Sequence, residues 1–379
     1  MQHRLNRSIA ALATLPALAG LSACGASAPP SPAELTDEAR TAITADAGAP
    51  AEELAREVDD LFSKDGLGET RAVLVLRNGK IAAERYAEGY DADTRFISWS
   101  MAKTVTAVLV GMLVADGRLS LDEPAPVPMW QRPGDARAEI TLEHLLQMRA
   151  GLDHTEAGAI PYESSEVRML FLDGRDDMAR WAKEQPLEAE PGERFEYSSN
   201  TTVILSDIVA RALTDSEDPD IRREAVTSFM QQRLLSPLGM TSMVPEFDAS
   251  GTLIGGSLMH ATARDYAAFG EFLRAGGKGP GGQQLVPSQW VAKMITPSPT
   301  AAQYGFQTWL NRPEPRLENG HPLFPDRAPH SLFAMIGHMG QYVLVSPEQK
   351  VTMVRLGHST SAERPPMLQE AADVIAIYP

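Results

Sequence analysis

Cysteine is almost absent: Cys24 stands alone in 379 residues. One thiol cannot close a disulfide within the chain, build a four-cysteine zinc cage or run thioredoxin-type exchange. Positive charge is scarce too. Lysine and arginine number 34 against 50 acidic residues, a net charge of -16, and no arginines cluster beyond Arg222-Arg223. Such a chain repels a polyphosphate backbone, which excludes nucleic acid as a partner, and the acidic excess reads as a solvated surface. Past the N-terminal segment no uninterrupted apolar run reaches about 18 residues, so no membrane-spanning helix is expected. Gly-x-Ser-x-Gly and His-Glu-x-x-His are both missing, which argues against the nucleophile elbow and the zincin helix. Neither a metal nor a cofactor is expected. Gly277, Gly279 and Gly282 satisfy Gly-x-Gly-x-x-Gly, but they follow a helical stretch and enclose Pro280, so they read as a loop.

What is present is ordinary globular composition, 43% hydrophobic and 22% charged, in a chain long enough for two or three lobes. The N-terminus carries Arg4 and Arg7, then an apolar run from Ile9 to Leu21 suited to a signal peptide. Its end, Leu21-Ser22-Ala23-Cys24, looks like a bacterial lipobox. The expectation is a signal peptide over 1–23, a lipid on Cys24, and a tether over 24–50 rich in Ala, Pro and Ser. The protein would then be an exported envelope lipoprotein, touching the membrane through its lipid alone. Gly25 is compatible with a periplasm-facing outer-membrane address. The other reading is a plain secretory signal with an incidental cysteine.

A helix is expected from Ala51 to Lys64. Arg71–Arg77 and Lys80–Tyr86 read as strands joined by Asn78-Gly79, the strongest short hairpin signal. Ser100–Ala115 is apolar or small nearly throughout and closes on Asp116-Gly117, as a buried helix with a glycine cap would. Helical spacing recurs at Leu142–Met148, Val167–Lys183, Thr202–Leu213, Glu224–Leu235 and Ala263–Ala275. Strand candidates follow at Leu332–Ile336, Gln341–Ser346 and Val351–Leu356, then a helix over Ala362–Tyr378. Strands at both ends with helices between imply an α+β fold, one antiparallel sheet flanked by helices plus a mainly helical second lobe. The sheet lobe would comprise 51–118 and 250–379, the helical lobe 119–249.

Three short runs carry chemistry. In Ser100-Met101-Ala102-Lys103 the serine and lysine share a helix face, so an amine reaches the hydroxyl. The helix N-terminus favours an oxyanion there, and burial of Lys103 would favour a neutral amine able to act as base. The spacing alone is common, and Ser100 also fits a plain N-cap. Tyr197-Ser198-Ser199-Asn200, after the turn signal Pro191-Gly192, fits an N-cap beside a packed aromatic. Gly337-His338-Met339-Gly340, between two strand candidates, fits either a hairpin corner or a strand edge offering N–H donors to a ligand.

In this order, Ser-x-x-Lys, Tyr-x-Ser and His-x-Gly resemble the serine β-lactamase and penicillin-recognising superfamily. The class C-like branch is the nearest, and within it the 6-aminohexanoate-dimer hydrolases. The resemblance runs from about Arg71 to Leu356, through Ile97–Thr104, Ile140–Leu146 with Gly151-Leu152, Pro191–Ser199, Ala263–Asp265 and Gly337–Gln341. It implies a β-lactamase/transpeptidase-like fold and a hydrolase acting on a small amide, ester or peptide. Ser100 would be the nucleophile, Lys103 and Tyr197 the proton-transfer pair, and the backbone N–H groups of Ser100 and Gln341 the oxyanion donors. Ser199, His338, Gly340 and Tyr162 would contact substrate. The middle motif also has a Ser-x-Asn register, Ser198 and Asn200. His-Met-Gly stands where β-lactamases carry Lys-Thr-Gly, which removes the cation expected to hold a β-lactam carboxylate. True β-lactamase, D-alanyl-D-alanine carboxypeptidase, or a lipoprotein that binds penicillin or cell-wall peptide without turnover are the alternatives. Oligomeric state is not legible.

Overall fold

The computed structural model describes residues 34–156, 160–313 and 323–379. The signal peptide, Cys24 and the first part of the tether lie outside the described residues. From Leu35 onward the tether is not one: α1 (Asp37–Thr41) is capped by Thr36, Leu35, Ala39, Ala42 and Ala47 are buried, and Ile43 bridges Ala83. Small apolar side chains at these positions let the segment lie flat on the body, which composition alone does not reveal.

Among the described residues nine strands follow: β1 (Glu69–Arg77), β2 (Lys80–Tyr86), β3 (Phe96–Ile97), β4 (Val244–Pro245), β5 (Met259–Ala261), β6 (Trp309–Leu310), β7 (Phe333–Gly337), β8 (Gln341–Ser346) and β9 (Val351–His358). Six form one antiparallel sheet in the order β2-β1-β9-β8-β7-β6, and β3, β5 and β4 form a smaller one. The hairpin between β1 and β2 turns through Asn78 and Gly79 at φ 51° and 76°, as a tight primed turn requires. Alternation along β1 sorts its side chains between two cores. Ala72, Leu74 and Leu76 face the buried helices, while Val73 and Val75 face α2 (Ala51–Ser63) and the C-terminal helix Arg364–Ala376.

The central helix, α3 (Ala102–Ala115), is buried from Ala102 through Leu113. It ends in a Schellman-type cap: Gly117 sits at φ 71° and the Arg118 N–H donates to Leu113 O at 2.9 Å. Against it packs α7 (Ser199–Leu213), and on α7 pack α4 (Leu142–Leu146), α5 (Ser165–Phe171), α6 (Met178–Glu184) and α8 (Pro219–Met230), which with α3 contribute to the larger core. The single helix expected over Val167–Lys183 is in fact α5 and α6. Gly174 breaks it by tucking under Trp181, where a Cβ would lie 2.7 Å from the indole.

Candidate active site

Ser100 lies in the tight turn Trp99–Met101 that leads directly into α3. The turn is held under strain, with Trp99 at φ 45°. Buried Ser98 anchors it, its hydroxyl donating to Trp99 O at 2.9 Å and accepting from Met259 N–H at 3.1 Å.

One turn on, Lys103 is 1% exposed and spends its three donors on three oxygens: Ser100 Oγ at 2.8 Å, Ser199 Oγ at 2.7 Å and Gly256 O at 2.8 Å. That is the coordination of an ammonium. Burial comes first and by itself would lower its pKa, but the polar and acidic neighbours Tyr197, Glu156 and Glu166 oppose it, and the net shift is upward. The expected neutral amine is therefore corrected. The resting lysine is charged, because its surroundings are carboxylates and not the apolar wall inferred from α3.

Tyr197 immediately precedes α7. Its ring lies 4.8 Å from Lys103 Nζ, and its phenol faces Ser100 and Lys103. Burial, ahead of the Lys103 charge that opposes it, raises the phenol pKa, so the hydroxyl keeps its proton. An aromatic cage fixes the ring: Trp309 at 5.1 Å and Tyr304 at 5.8 Å, themselves 4.9 Å apart. Between the two registers of the middle motif the geometry discriminates. Ser198 caps α7, accepting from the N–H groups of Asn200 and Thr201, and Asn200 Nδ2 donates to Ser165 O at 3.3 Å. Neither bonds Lys103. Ser199 does, but it is fully buried with internal partners, so it positions the lysine and does not face substrate as expected.

The third motif closes the site. Gly337 at the end of β7 runs against the turn that carries Ser100, where a Cβ would lie 2.3 Å from Ser98 O. The His338 ring stands edge-on to Trp99 at 5.4 Å. Burial, then the nearby Arg364 charge, hold its imidazole below the usual range, so it is neutral at pH 7. Gly340, at φ 85°, leaves space for the buried Arg355 guanidinium, which donates to Gly340 O at 2.8 Å. Its role is thus structural support of the turn. Buried Gln341 begins β8 and ties the same turn with its amide, donating to Gly357 O at 2.7 Å. Tyr162 is not drawn into this set: it is 65% exposed and makes no side-chain hydrogen bond or ring contact with the described residues.

Glu156 and Glu166 went unnoticed in the sequence. The Ser199 N–H and hydroxyl donate to the two oxygens of Glu156 at 2.5 and 2.7 Å, and Glu166 Oε1 lies 3.2 Å from the same hydroxyl. No spacing rule links residues 156, 166 and 199; Glu166 sits near the expected Tyr162 loop, but nothing in that run pointed inward. Beside Tyr197 a cleft of about 880 Å³ opens between Phe195, Trp309, Ile336, Phe324 and Arg364.

A strand-and-helix sandwich with a serine and lysine one turn apart on its buried helix defines the β-lactamase/transpeptidase-like class. A Beta-lactamase family model matches residues 69–376. The chain belongs to that family, within the serine β-lactamase-related superfamily. It is 26% identical over 242 residues to the 6-aminohexanoate-dimer hydrolase of Paenarthrobacter ureafaciens, covering 60% of this chain and 57% of that protein. The matched region thus spans little over half of that relative. Among solved structures, a Bacillus anthracis protein assigned to the 6-aminohexanoate-dimer hydrolases superposes with a TM-score of 0.64 at 22% identity, covering 92% of this chain and 88% of that one. EstCE1, a hydrolase with promiscuous acyltransferase activity, does so with 0.62 at 18%, covering 86% and 99%. Such identities show a shared fold.

Proposed function

We propose that this protein hydrolyses amide or ester bonds through an acyl-enzyme on Ser100. The observation that carries the reading is Lys103 Nζ at 2.8 Å from Ser100 Oγ with the Tyr197 ring 4.8 Å from the same nitrogen. Ser100 attacks the carbonyl, and its proton passes into the Lys103–Tyr197 pair. Backbone N–H groups of Ser100 and Gln341 hold the oxyanion, one such donor contributing about 3 to 4 kcal/mol. The Tyr197 phenol delivers a proton to the leaving nitrogen or oxygen, and water then releases the acid.

The cleft's aromatic and aliphatic walls favour a short linear acyl or amine chain. Arg364, whose hydrogen bond is to Ser361, favours a carboxylate at the chain's end. Linear ω-amino-acid oligomers and D-amino-acid peptides carry both features. A neutral His338 in place of a lysine weighs against β-lactam turnover. Ser100→Ala should lower p-nitrophenyl ester hydrolysis by about 10⁴-fold or more with an unchanged circular dichroism spectrum, and a fluorophosphonate should label Ser100 by mass spectrometry. Turnover retained by the alanine variant overturns the assignment.

A further inference from the structure

A base that starts as an ammonium must lose a proton before it can accept one. Of the three oxygens on Lys103, the Gly256 carbonyl has no proton to pass on and Ser100 Oγ is the nucleophile itself. Ser199 Oγ differs. It accepts from Lys103 Nζ at 2.7 Å and donates to Glu156 Oε1 at 2.7 Å, and Glu156 reaches the surface with its side chain 20% exposed against 1% for Lys103. Nζ to carboxylate is otherwise 3.6 Å, so the hydroxyl is the shorter bridge.

We propose that Ser199 and Glu156, with Glu166 beside them, form a proton outlet for Lys103; the inference rests on the Ser100 acyl-enzyme reading. An N–H bond breaks at Lys103 Nζ as an O–H bond forms at Ser199 Oγ. The original Ser199 O–H breaks as one forms on Glu156. Ammonium and carboxylate become amine and carboxylic acid, net charge is unchanged, and the freed amine takes the Ser100 proton. Glu156 is faced by Lys103 of α3, Glu166 of α5, Glu196 and Tyr197 ahead of α7, Tyr304, and His338 after β7. Burial first, then the Glu156 charge, raises the Glu166 carboxyl to about 7. Of the two carboxylates, Glu156 stands closer to the Ser199 hydroxyl, at 2.7 Å against 3.2 Å for Glu166, and is therefore the acceptor.

The test is the pH profile of kcat/KM for a p-nitrophenyl ester, with the rate of Ser100 phosphonylation measured alongside. Glu156→Gln should lose about 10²-fold at pH 7, and its rate should keep climbing into alkaline pH, where hydroxide removes the lysine proton instead. Glu156→Asp should restore part of the rate. Ser199→Ala, which keeps both carboxylates, should show the same loss and the same alkaline rise. A purely structural role would lower the rate by one factor at every pH, and that result overturns the outlet. Wild-type rate and profile in both Glu156→Gln and Ser199→Ala overturn it equally. If wild-type Ser100 is labelled and these variants behave as wild type, the outlet alone is wrong; if wild-type Ser100 is never labelled, the acyl-enzyme reading falls first.

Discussion

Two carboxylates beside one buried ammonium make the site's charge depend on pH, and the effect reaches stability as well as chemistry. Glu166 has its carboxyl raised from 4.5 to about 7, first by burial and next by the Glu156 charge. A carboxyl that binds its proton more tightly folded than unfolded costs stability as pH rises from 4.5 through about 7, and the cost is complete above that. The size is on the order of 3 kcal/mol. Glu166→Gln should therefore raise Tm at pH 8 and leave it nearly unchanged at pH 4.5, as read by differential scanning calorimetry. His154 acts in the opposite sense. It is buried between Thr201 and Ala182 O, burial pushes it down to about 4, and its contribution is lost as pH falls from 6.5 toward 4. The two act over nearly the same pH range with opposite signs, so in the wild type they largely offset each other and the Glu166→Gln variant exposes the His154 limb.

Among the elements, α3 decides whether the site exists, because it carries Lys103 and supplies a core-facing residue at nearly every position. In its second half, at Gly111, Trp290 crosses: a Cβ there would lie 2.2 Å from the indole Nε1, which donates to Ala107 O at 3.1 Å. Gly111→Ala gains helix propensity of about 1 kcal/mol but must displace a buried indole, an overpacking cost of about 1 to 3 kcal/mol. Net destabilisation in urea is expected, with the Trp290 contact disrupted. A stabilised variant would mean that the indole moves freely. The hairpin turn between β7 and β8 depends in the same way on neighbours, since Arg355 of β9 reaches across to hold Gly340.

At the scale of the whole molecule, β9 lies between β1 and β8, so the two ends of the body complete one sheet. Leu35, Ala39, Ala42 and Ala47 are packed on the body, so residues 35–50 do not serve as a tether. We propose that a lipid on Cys24 anchors this body to the cell envelope. Cys24→Ser should move the protein from the membrane fraction to the soluble envelope fraction and abolish incorporation of labelled palmitate; unchanged fractionation and no palmitate on the wild type would refute the anchor.

Local patterns in the sequence sufficed for much of this. Two strand-like runs around Asn78-Gly79 marked the first hairpin, the nearly uniform apolar or small run after Ser100 marked the buried helix, and three ordered motifs singled out Ser100, Lys103 and Tyr197. The hairpin, the buried helix and the Ser100–Lys103 spacing are each local, where backbone geometry dictates which side chains meet, whereas Tyr197 was reached only through the order of the motifs and the resemblance they carry. The charge on Lys103, the roles of Ser199 and Gly340, the break at Gly174 and the whole of the Glu156–Glu166 pair were decided by tertiary structure. Apart from the Gly174 break, which is a steric contact with nearby Trp181, each depends on groups separated along the chain and brought within hydrogen-bonding range only by packing. Electrostatic energy follows separation and burial in space, neither of which position along the chain encodes.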